Sequence, residues 1–136
     1  MFSIVGLDHV VLRVTDVERM VGFYREVLGC SIERARPEIG LTQLRAGRSL
    51  IDIVAVDSEL GRGGGAGPGT EARNMDHFCL RIEPFEPDAL AALLASHGLA
   101  VGEVKTRYGA EGDGPSLYLT DPEGNTVELK GPPTVK

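Results

Sequence analysis

One short sequence occurs twice in this chain. LDHVVLRV at residues 7–14 is matched by MDHFCLRI at residues 75–82, and each copy carries an Asp-His pair and a later Arg. Each copy is followed by apolar residues at helical spacing and then by short β-like runs. Such a repeat predicts two equivalent modules, because each copy must bury the same kind of face. The matched histidines predict that each module offers one imidazole to a shared site.

The alternation of side chains places these histidines on a mixed face of each strand. Successive side chains point to opposite faces of a strand, so His9 shares a face with Arg13. The same relation holds for His77 and Arg81. The opposite faces are apolar and suit a covering helix. Burying His and Arg is costly unless they line a wet or ligand-filled cavity, so we favour a site over a solvated face with incidental histidines.

The remaining pattern predicts the order strand, helix and three strands twice, which is an α+β fold. The first module is predicted over 4–56, with a strand at 4–14, a helix at 16–28 and strands at 30–36, 41–46 and 49–56. The second is predicted over 75–131, with a strand at 75–82, a helix at 86–97 and strands at 100–106, 115–120 and 125–130. We expect the modules to form a single domain over residues 1–136.

Glycine-rich and turn-forming segments separate these elements. Residues 57–74 contain GRGGGAGPG, which lacks the Walker spacing and predicts a linker without regular structure. Residues 107–114 predict a polar, lid-like loop that carries Tyr108. DPEGN at 121–125 predicts a hairpin turn between the last two strands. His97 ends the second predicted helix, and we assign it a structural role.

Composition limits the classes of partner and the compartment. The 136 residues carry a net charge of -6, which argues against nucleic acid, because phosphate binding needs clustered Lys and Arg. Cys30 and Cys79 form no metal motif. The chain starts without a signal-peptide pattern and has no membrane-spanning run, so we expect a cytoplasmic protein with no membrane partner.

Two carboxylates lie inside apolar strand sequences. Glu128 in TVELK and Asp52 in SLIDIVAV are costly there unless they are paired, hydrogen-bonded or bound to a metal. One alternative is that each pairs with an arginine (Arg13, Arg45 or Arg81) or faces water. Two imidazoles and one carboxylate form the facial triad of non-haem Fe(II) enzymes, which other divalent metals also occupy. Adding Asp52 gives a more saturated site, suited to Lewis-acid and proton-transfer chemistry. The residues leave both options open.

LDHVVLRVTDVERMVGFYREVLG, MDHFCLRI and SLYLTDPEGNTVELKG resemble the vicinal oxygen chelate superfamily of glyoxalase I, fosfomycin-resistance, bleomycin-resistance and extradiol dioxygenase proteins. The resemblance covers nearly the whole chain and implies paired βαβββ modules in a curved mixed sheet around a metal-binding cavity. It implies a divalent metal (Ni, Zn, Co, Mn or Fe) on His9, His77 and Glu128. Asp52 stands where glyoxalase I-like members carry Glu. In those enzymes a metal-held enediolate forms while a carboxylate moves the proton.

Departures from the family pattern bear on the reaction. Asp52 is one methylene shorter than Glu, so a fourth ligand and a proton-transfer base are both open roles for it. Val11 stands where fosfomycin-resistance enzymes carry Thr, which disfavours fosfomycin. We predict glyoxalase I-like lyase or isomerase chemistry on a small oxygen-chelating substrate. The alternatives are an Fe(II) extradiol-type dioxygenase and a non-catalytic protein that sequesters a small drug or toxin, although bleomycin-binding members lack the metal triad.

The same face argument predicts substrate-binding residues. The main candidates are Tyr118, Arg13, Arg81 and Tyr108. Further candidates are Ser116, which shares a face with Tyr118, and Gln43 and Cys79, which we expect to point inward. Each of these is as compatible with a structural role. The family implies a homodimer, and the sequence leaves open whether His9 and His77 meet within one chain or across two.

Overall fold

The computed structural model describes residues 1–134, which form two compact units that divide between Glu71 and Ala72. Each unit contains one α-helix and a four-stranded mixed sheet, in the order strand, helix and three strands. The predicted α+β class and the two βαβββ modules are therefore confirmed. No helix within residues 1–134 is both long and apolar enough to cross a membrane.

The first unit contains β1 (His9–Val14), α1 (Val17–Glu26), β2 (Ser31–Arg36), β3 (Leu41–Ala46) and β4 (Ser49–Ala55). Its sheet order is β1-β4-β3-β2, with β1 and β4 parallel and the other pairs antiparallel. The register places Asp52 of β4 between Val11 of β1 and Gln43 of β3. The central strand therefore carries the buried carboxylate, with a side chain on either side of it.

The local sequence explains why α1 covers one face of this sheet. Asp16 caps the helix, because its Oδ1 accepts a hydrogen bond of 3.1 Å from the Arg19 N–H. The helix buries Met20, Phe23 and Tyr24. The apolar face of β1 is also buried, as strand alternation predicts. The histidine-bearing face is left for the site.

The second unit contains β5 (Phe78–Arg81), α2 (Pro87–Ser96), β6 (Lys105–Gly109), β7 (Gly112–Thr120) and β8 (Thr126–Lys130). Its sheet order is β5-β8-β7-β6, with β5 and β8 parallel and the other pairs antiparallel. Glu128 of β8 lies between Cys79 and Tyr118, two positions before Lys130. This central strand also carries the unit's buried carboxylate.

The turn between β7 and β8 is held by one buried aspartate. Asp121 Oδ1 accepts hydrogen bonds of 2.9 Å from the N–H groups of Glu123 and Asn125. Its Oδ2 accepts a 2.8 Å bond from the Asn125 side-chain amide, and Gly124 adopts a positive φ of 85°. The predicted hairpin turn at DPEGN is confirmed, and it fixes the start of β8.

Several predicted strand boundaries are wrong, including the starts of β5 at Phe78 rather than at residue 75 and of β7 at Gly112 rather than at residue 115. β1 begins at His9 rather than at residue 4, and residues 1–8 lie outside any strand. β6 runs from Lys105 to Gly109 rather than over 100–106, and the predicted loop at 107–114 is largely the hairpin of β6 and β7. Gly112 takes a φ of 110°, which a side chain would strain. The glycines of this segment allow a tight turn rather than a mobile lid.

Candidate metal-binding site

Both histidines of the repeat are held by the aspartate that precedes them. His9 Nδ1 lies 2.7 Å from Asp8 Oδ2, and His77 Nδ1 lies 2.7 Å from Asp76 Oδ2. A carboxylate at Nδ1 favours the proton on that nitrogen and leaves the Nε2 lone pair for a metal. The hydrogen bond that His9 donates to Asp8 raises the pKa of His9, and the negative charge of Asp52 adds to the rise.

In the first unit the histidine stands near a buried aspartate. His9 Nε2 lies 3.9 Å from Asp52 Oδ2. The Gln43 side-chain amide donates to both Asp52 oxygens, at 3.3 and 3.2 Å. Asp52 is 4% exposed, so this carboxylate is desolvated and positioned mainly by its strand neighbour.

In the second unit the corresponding pair is tighter. His77 Nε2 lies 3.1 Å from Glu128 Oε1, because the glutamate reaches one methylene further than Asp52 does. The His77 ring packs edge-to-face on Tyr118, with the ring centroids 5.2 Å apart. The Arg107 guanidinium carbon lies 4.5 Å from the Tyr118 centroid, and Arg107 donates to Ser116 Oγ at 2.8 Å. The position of the His77 ring is thus fixed by Glu128 and by Tyr118.

The donor set fits a divalent metal, since each unit supplies one imidazole nitrogen and one buried carboxylate. Neither unit gathers three or more His, Cys, Asp or Glu side chains in a metal-binding arrangement within residues 1–134. The alternative in which arginines neutralise the carboxylates is wrong. The guanidinium groups of Arg13, Arg45 and Arg81 contact other acceptors.

Arg13 binds the glycine-rich segment of its own unit. Its Nε donates to Gly61 O at 2.8 Å, and its Nη2 donates to Gly65 O at 2.6 Å. A 3-10 helix at Gly61–Gly64 lies in this segment, so the expectation that it lacks regular structure is wrong. A Cβ at Gly61 would lie 1.7 Å from Ala55 O, which means that the segment packs closely on the end of β4. These contacts favour a structural role for Arg13.

The second unit contains a cavity of about 320 Å³ beside the His77–Glu128 pair. Arg81 lines it and donates to Glu111 Oε1 at 2.6 Å and to Glu83 Oε1 at 2.8 Å. The side chains and backbone that line the cavity come from His77, Cys79, Arg81, Tyr108, Gly109, Ala110, Glu111, Glu128, Lys130, Gly131 and Pro133. Two predicted binding residues, Arg81 and Tyr108, therefore lie at the same cavity as one predicted metal pair.

Tyr108 and Cys79 line this cavity, and both residues are exposed. Tyr108 is 82% exposed and belongs to β6, not to a loop as predicted. Partial burial of the thiol and, after it, the neighbouring Glu128 charge raise the pKa of the Cys79 thiol to about 11. Tyr118 is half-buried against His77 and is not among the residues that line the cavity.

Sequence reasoning missed the roles of three residues at these pairs. Asp8 and Asp76 hold the imidazoles, and the repeated Asp-His dipeptide is the signal that could have identified them. Lys130 is buried and lines the cavity, and its place two residues after Glu128 puts both side chains on the same face of β8. Gln43, predicted to point inward, contacts Asp52.

Comparisons with known proteins agree with this architecture. The chain is 29% identical over 124 residues to virulence protein STM3117 of Salmonella typhimurium, covering 90% of this chain and 81% of that protein. The crystal structure of STM3117 superposes with a TM-score of 0.75 at 25% identity and covers 96% of this chain and 98% of that one.

Two further structures share the fold. Lactoylglutathione lyase from Agrobacterium tumefaciens has a TM-score of 0.67 at 22% identity, covering 93% of each chain. TnmS3, an antibiotic binding protein from Streptomyces sp. CB03234, has a TM-score of 0.70 at 24% identity, covering 97% of this chain and 99% of that one. The family model Glyoxalase/Bleomycin resistance protein/Dioxygenase superfamily matches residues 6–129. The chain belongs to this superfamily.

Proposed function

We propose that this protein is a divalent-metal-dependent enzyme with glyoxalase I-like lyase or isomerase chemistry on a small oxygen-chelating substrate. The observation that carries the proposal is the repeated triplet of aspartate, histidine and buried carboxylate. It comprises Asp8, His9 and Asp52 in one unit and Asp76, His77 and Glu128 in the other. In each unit one carboxylate holds Nδ1 of the histidine and a buried carboxylate lies within 4 Å of Nε2, which is the arrangement expected around a metal-binding imidazole.

We assign His9, His77 and Glu128 as metal ligands. The metal, when bound, would act as a Lewis acid toward substrate oxygens. Asp8 and Asp76 orient the imidazoles so that Nε2 is the donor atom in each. Tyr118 limits rotation of the His77 ring through its edge-to-face contact.

Asp52 is our candidate for the group that moves a proton. Gln43 holds both of its oxygens, and the carboxylate stays 3.9 Å from His9 Nε2 rather than in a close pair. A desolvated carboxylate with a partner on one side is suited to accept a proton from a carbon next to a carbonyl. The role of a fourth ligand is the alternative for Asp52, and Glu128 is the second candidate for the base.

The second-unit cavity is our candidate for the place where the substrate binds, with Arg81 and Tyr108 at its edge. Tyr118 would act on the substrate through His77. We further propose a homodimer, as is common in the superfamily. We assign the protein to the cytoplasm, where its two unpaired thiols, Cys30 and Cys79, would stay reduced.

Metal titration of the resin-stripped protein tests the ligand assignment. We expect Zn²⁺, Ni²⁺, Co²⁺ or Mn²⁺ to raise the melting temperature of the wild-type protein. His77→Ala should abolish the rise, because it removes one nitrogen donor. His97→Ala is the matched control, since His97 caps the exposed end of α2 away from the pair. An equal rise in both variants would refute the assignment.

Sequestration without turnover is the second candidate function. The cavity next to His77 and the fold shared with an antibiotic binding protein favour it. Tight binding of a small drug by metal-free protein, with no metal-dependent conversion of any α-ketoaldehyde thiol adduct, would support this function. Oxygen uptake by the Fe(II)-loaded protein with a catechol would instead support the dioxygenase.

A further inference from the structure

We infer that Lys130 makes the second-unit cavity a subsite for a small anionic oxygen group, a carboxylate or a phosphate. The chemistry of the subsite follows from the cavity itself. Assigning the bound anion to the substrate rests on the proposed function. The substrate class that follows is a small oxygen-chelating molecule that also carries a negative charge.

The first observation is a buried ammonium without a partner. Lys130 is 7% exposed, and its Nζ is shielded from solvent and has no hydrogen-bond partner within residues 1–134. Burying an uncompensated charge is costly, because the interior replaces none of the hydrogen bonds made by water. A ligand oxygen would recover part of that cost, and Lys130 already lines the cavity.

The other lining cation is already compensated. Arg81 donates to the carboxylates of Glu111 and Glu83 and to the carbonyl of Ile82. Its charge is therefore balanced by two acidic side chains at the edge of the cavity. Of the two cations that line the cavity, Lys130 is the one that lacks a counter-charge within hydrogen-bonding distance in the described part of the chain.

Two glycines leave the space that the lysine occupies. A Cβ at Gly109 would lie 2.6 Å from Lys130 Cε, and a Cβ at Gly114 would lie 2.9 Å from Nζ. The buried position of the ammonium thus depends on bare backbone in β6 and β7. The local backbone is therefore shaped to accommodate the Lys130 side chain in its buried position.

The first unit lacks this feature at the equivalent place. Lys130 pairs across the sheet with Arg81 and Ser116. The matching position in β4 is Val54, which pairs with Arg13 and Leu41. The charged position is therefore particular to the second unit, next to its tighter histidine–carboxylate pair.

The volume favours a small ligand. About 320 Å³ is near the lower limit of roughly 300–1,000 Å³ for ligand pockets. His77 and Glu128 line the same cavity, so a ligand anchored on Lys130 would place its remaining oxygens beside that pair. This arrangement suits a compact acid rather than a long or apolar molecule.

Anion titration of metal-depleted full-length protein tests the inference. The probes are sodium acetate and sodium phosphate, with acetamide as the neutral control, followed through the amide NMR signals of the cavity-lining residues. We expect saturable shifts in the millimolar range with at least one anion and none with acetamide. The tighter anion identifies the preferred group. Linear or absent shifts with both anions would overturn the inference.

Matched lysine variants locate the anion. Lys130→Met keeps an apolar stem, so we expect it to weaken anion binding at least about tenfold and to raise the melting temperature of the ligand-free protein. Lys105→Met removes the same charge from an exposed lysine and should leave binding unchanged. Lys130→Gln is the second variant should the first fail to fold, with the same loss of binding expected.

The outcomes separate this inference from the proposed function. Wild-type anion binding in the Lys130 variants would overturn the subsite while leaving metal binding by His77 intact. Failure of metal binding, with anion binding still lost in the Lys130 variants, would refute the metalloenzyme proposal and leave the subsite standing.

Discussion

The two units carry a histidine–carboxylate pair at matched sequence positions, yet His9 begins β1 whereas His77 lies one residue before β5, and the surroundings of the pair also differ. In the first unit Asp52 is held by Gln43 and stays 3.9 Å from His9. In the second unit Glu128 approaches His77 to 3.1 Å. The repeated backbone fixes where the two groups lie. The length of the acidic side chain and its strand neighbour then decide how closely they pair.

The arginines of the repeat show a second difference. Arg13 donates to backbone carbonyls of the glycine-rich segment, whereas Arg81 donates to two glutamates at the edge of the cavity. Identical residues at matched positions therefore serve different local structures. The matched arginines therefore support the glycine-rich segment in the first unit and the edge of the cavity in the second.

The largest expected difference is between the effects that the two buried carboxylates, one from each unit, have on metal affinity. Glu128→Gln should weaken Zn²⁺ binding by at least about 100-fold, because it removes a ligand oxygen. Removal of a residue that only hydrogen-bonds a metal ligand already lowers metal affinity by about 10–100-fold. Asp52→Asn should weaken it by about tenfold or less, since Asp52 is committed to Gln43. Competition with a chromophoric chelator measures both constants. A larger loss in Asp52→Asn would reverse our assignment of roles.

Loss of the aspartate that orients an imidazole should weaken metal binding less than loss of a metal ligand. Asp76→Asn should weaken Zn²⁺ binding by about 10–100-fold, because it removes the carboxylate that holds the proton on His77 Nδ1. Asp57→Asn, at an exposed residue outside both sheets, is the control. The same titration applies, and equal affinities for the two variants would show that Asp76 does not orient the histidine.

The packing of the glycine-rich segment belongs to the first unit and can be tested by stability. Gly61→Ala should reduce the free energy of unfolding by about 1–3 kcal/mol, because the new methyl would meet the backbone oxygen of Ala55. Gly63→Ala has open space and should change it by less than about 0.5 kcal/mol. Urea denaturation measures both, and equal effects would mean that the segment does not pack on β4.

The smallest effect concerns the Cys79 thiol of the second unit. Its pKa of about 11 keeps it neutral at pH 8, so alkylation should be slow and should accelerate as the pH rises toward 11. Glu128→Gln should shift this profile to lower pH, because the Glu128 charge raises the thiol pKa. The rate of iodoacetamide labelling in a metal-free Cys30→Ser background gives the profile. An unshifted profile would contradict the contact with Glu128.

The sequence allowed prediction of the modules and of the paired residues, because period-two alternation and the repeat are local signals. His9, Asp52 and Glu128 lie on the strands that were predicted to carry them, whereas His77 lies one residue before β5 rather than within it. The β6–β7 hairpin could not be predicted, because a glycine-rich stretch suits a mobile loop and a tight turn equally. The partners of Arg13 also depend on a packed segment that has no periodicity.

The lysine illustrates what alternation leaves undecided. Its face was predictable from TVELK, but its burial depends on bare backbone at Gly109 and Gly114 in other strands. The absence of a neutralising partner for Lys130 in the described residues is likewise a tertiary property. The sequence pattern predicts the face of the strand to which a side chain points, and tertiary packing decides whether that side chain is buried there without a partner.

The central proposal is that His9, His77 and Glu128 are ligands of a divalent metal ion. The most direct test is the metal content of protein purified without added metal or chelator, in wild type, His9→Ala, His77→Ala and His97→Ala. We predict about one divalent ion per chain in wild type and in His97→Ala, and loss of the ion in each of the other two variants. Full metal content in His9→Ala would contradict the claim, because the second unit would then bind the ion without the first.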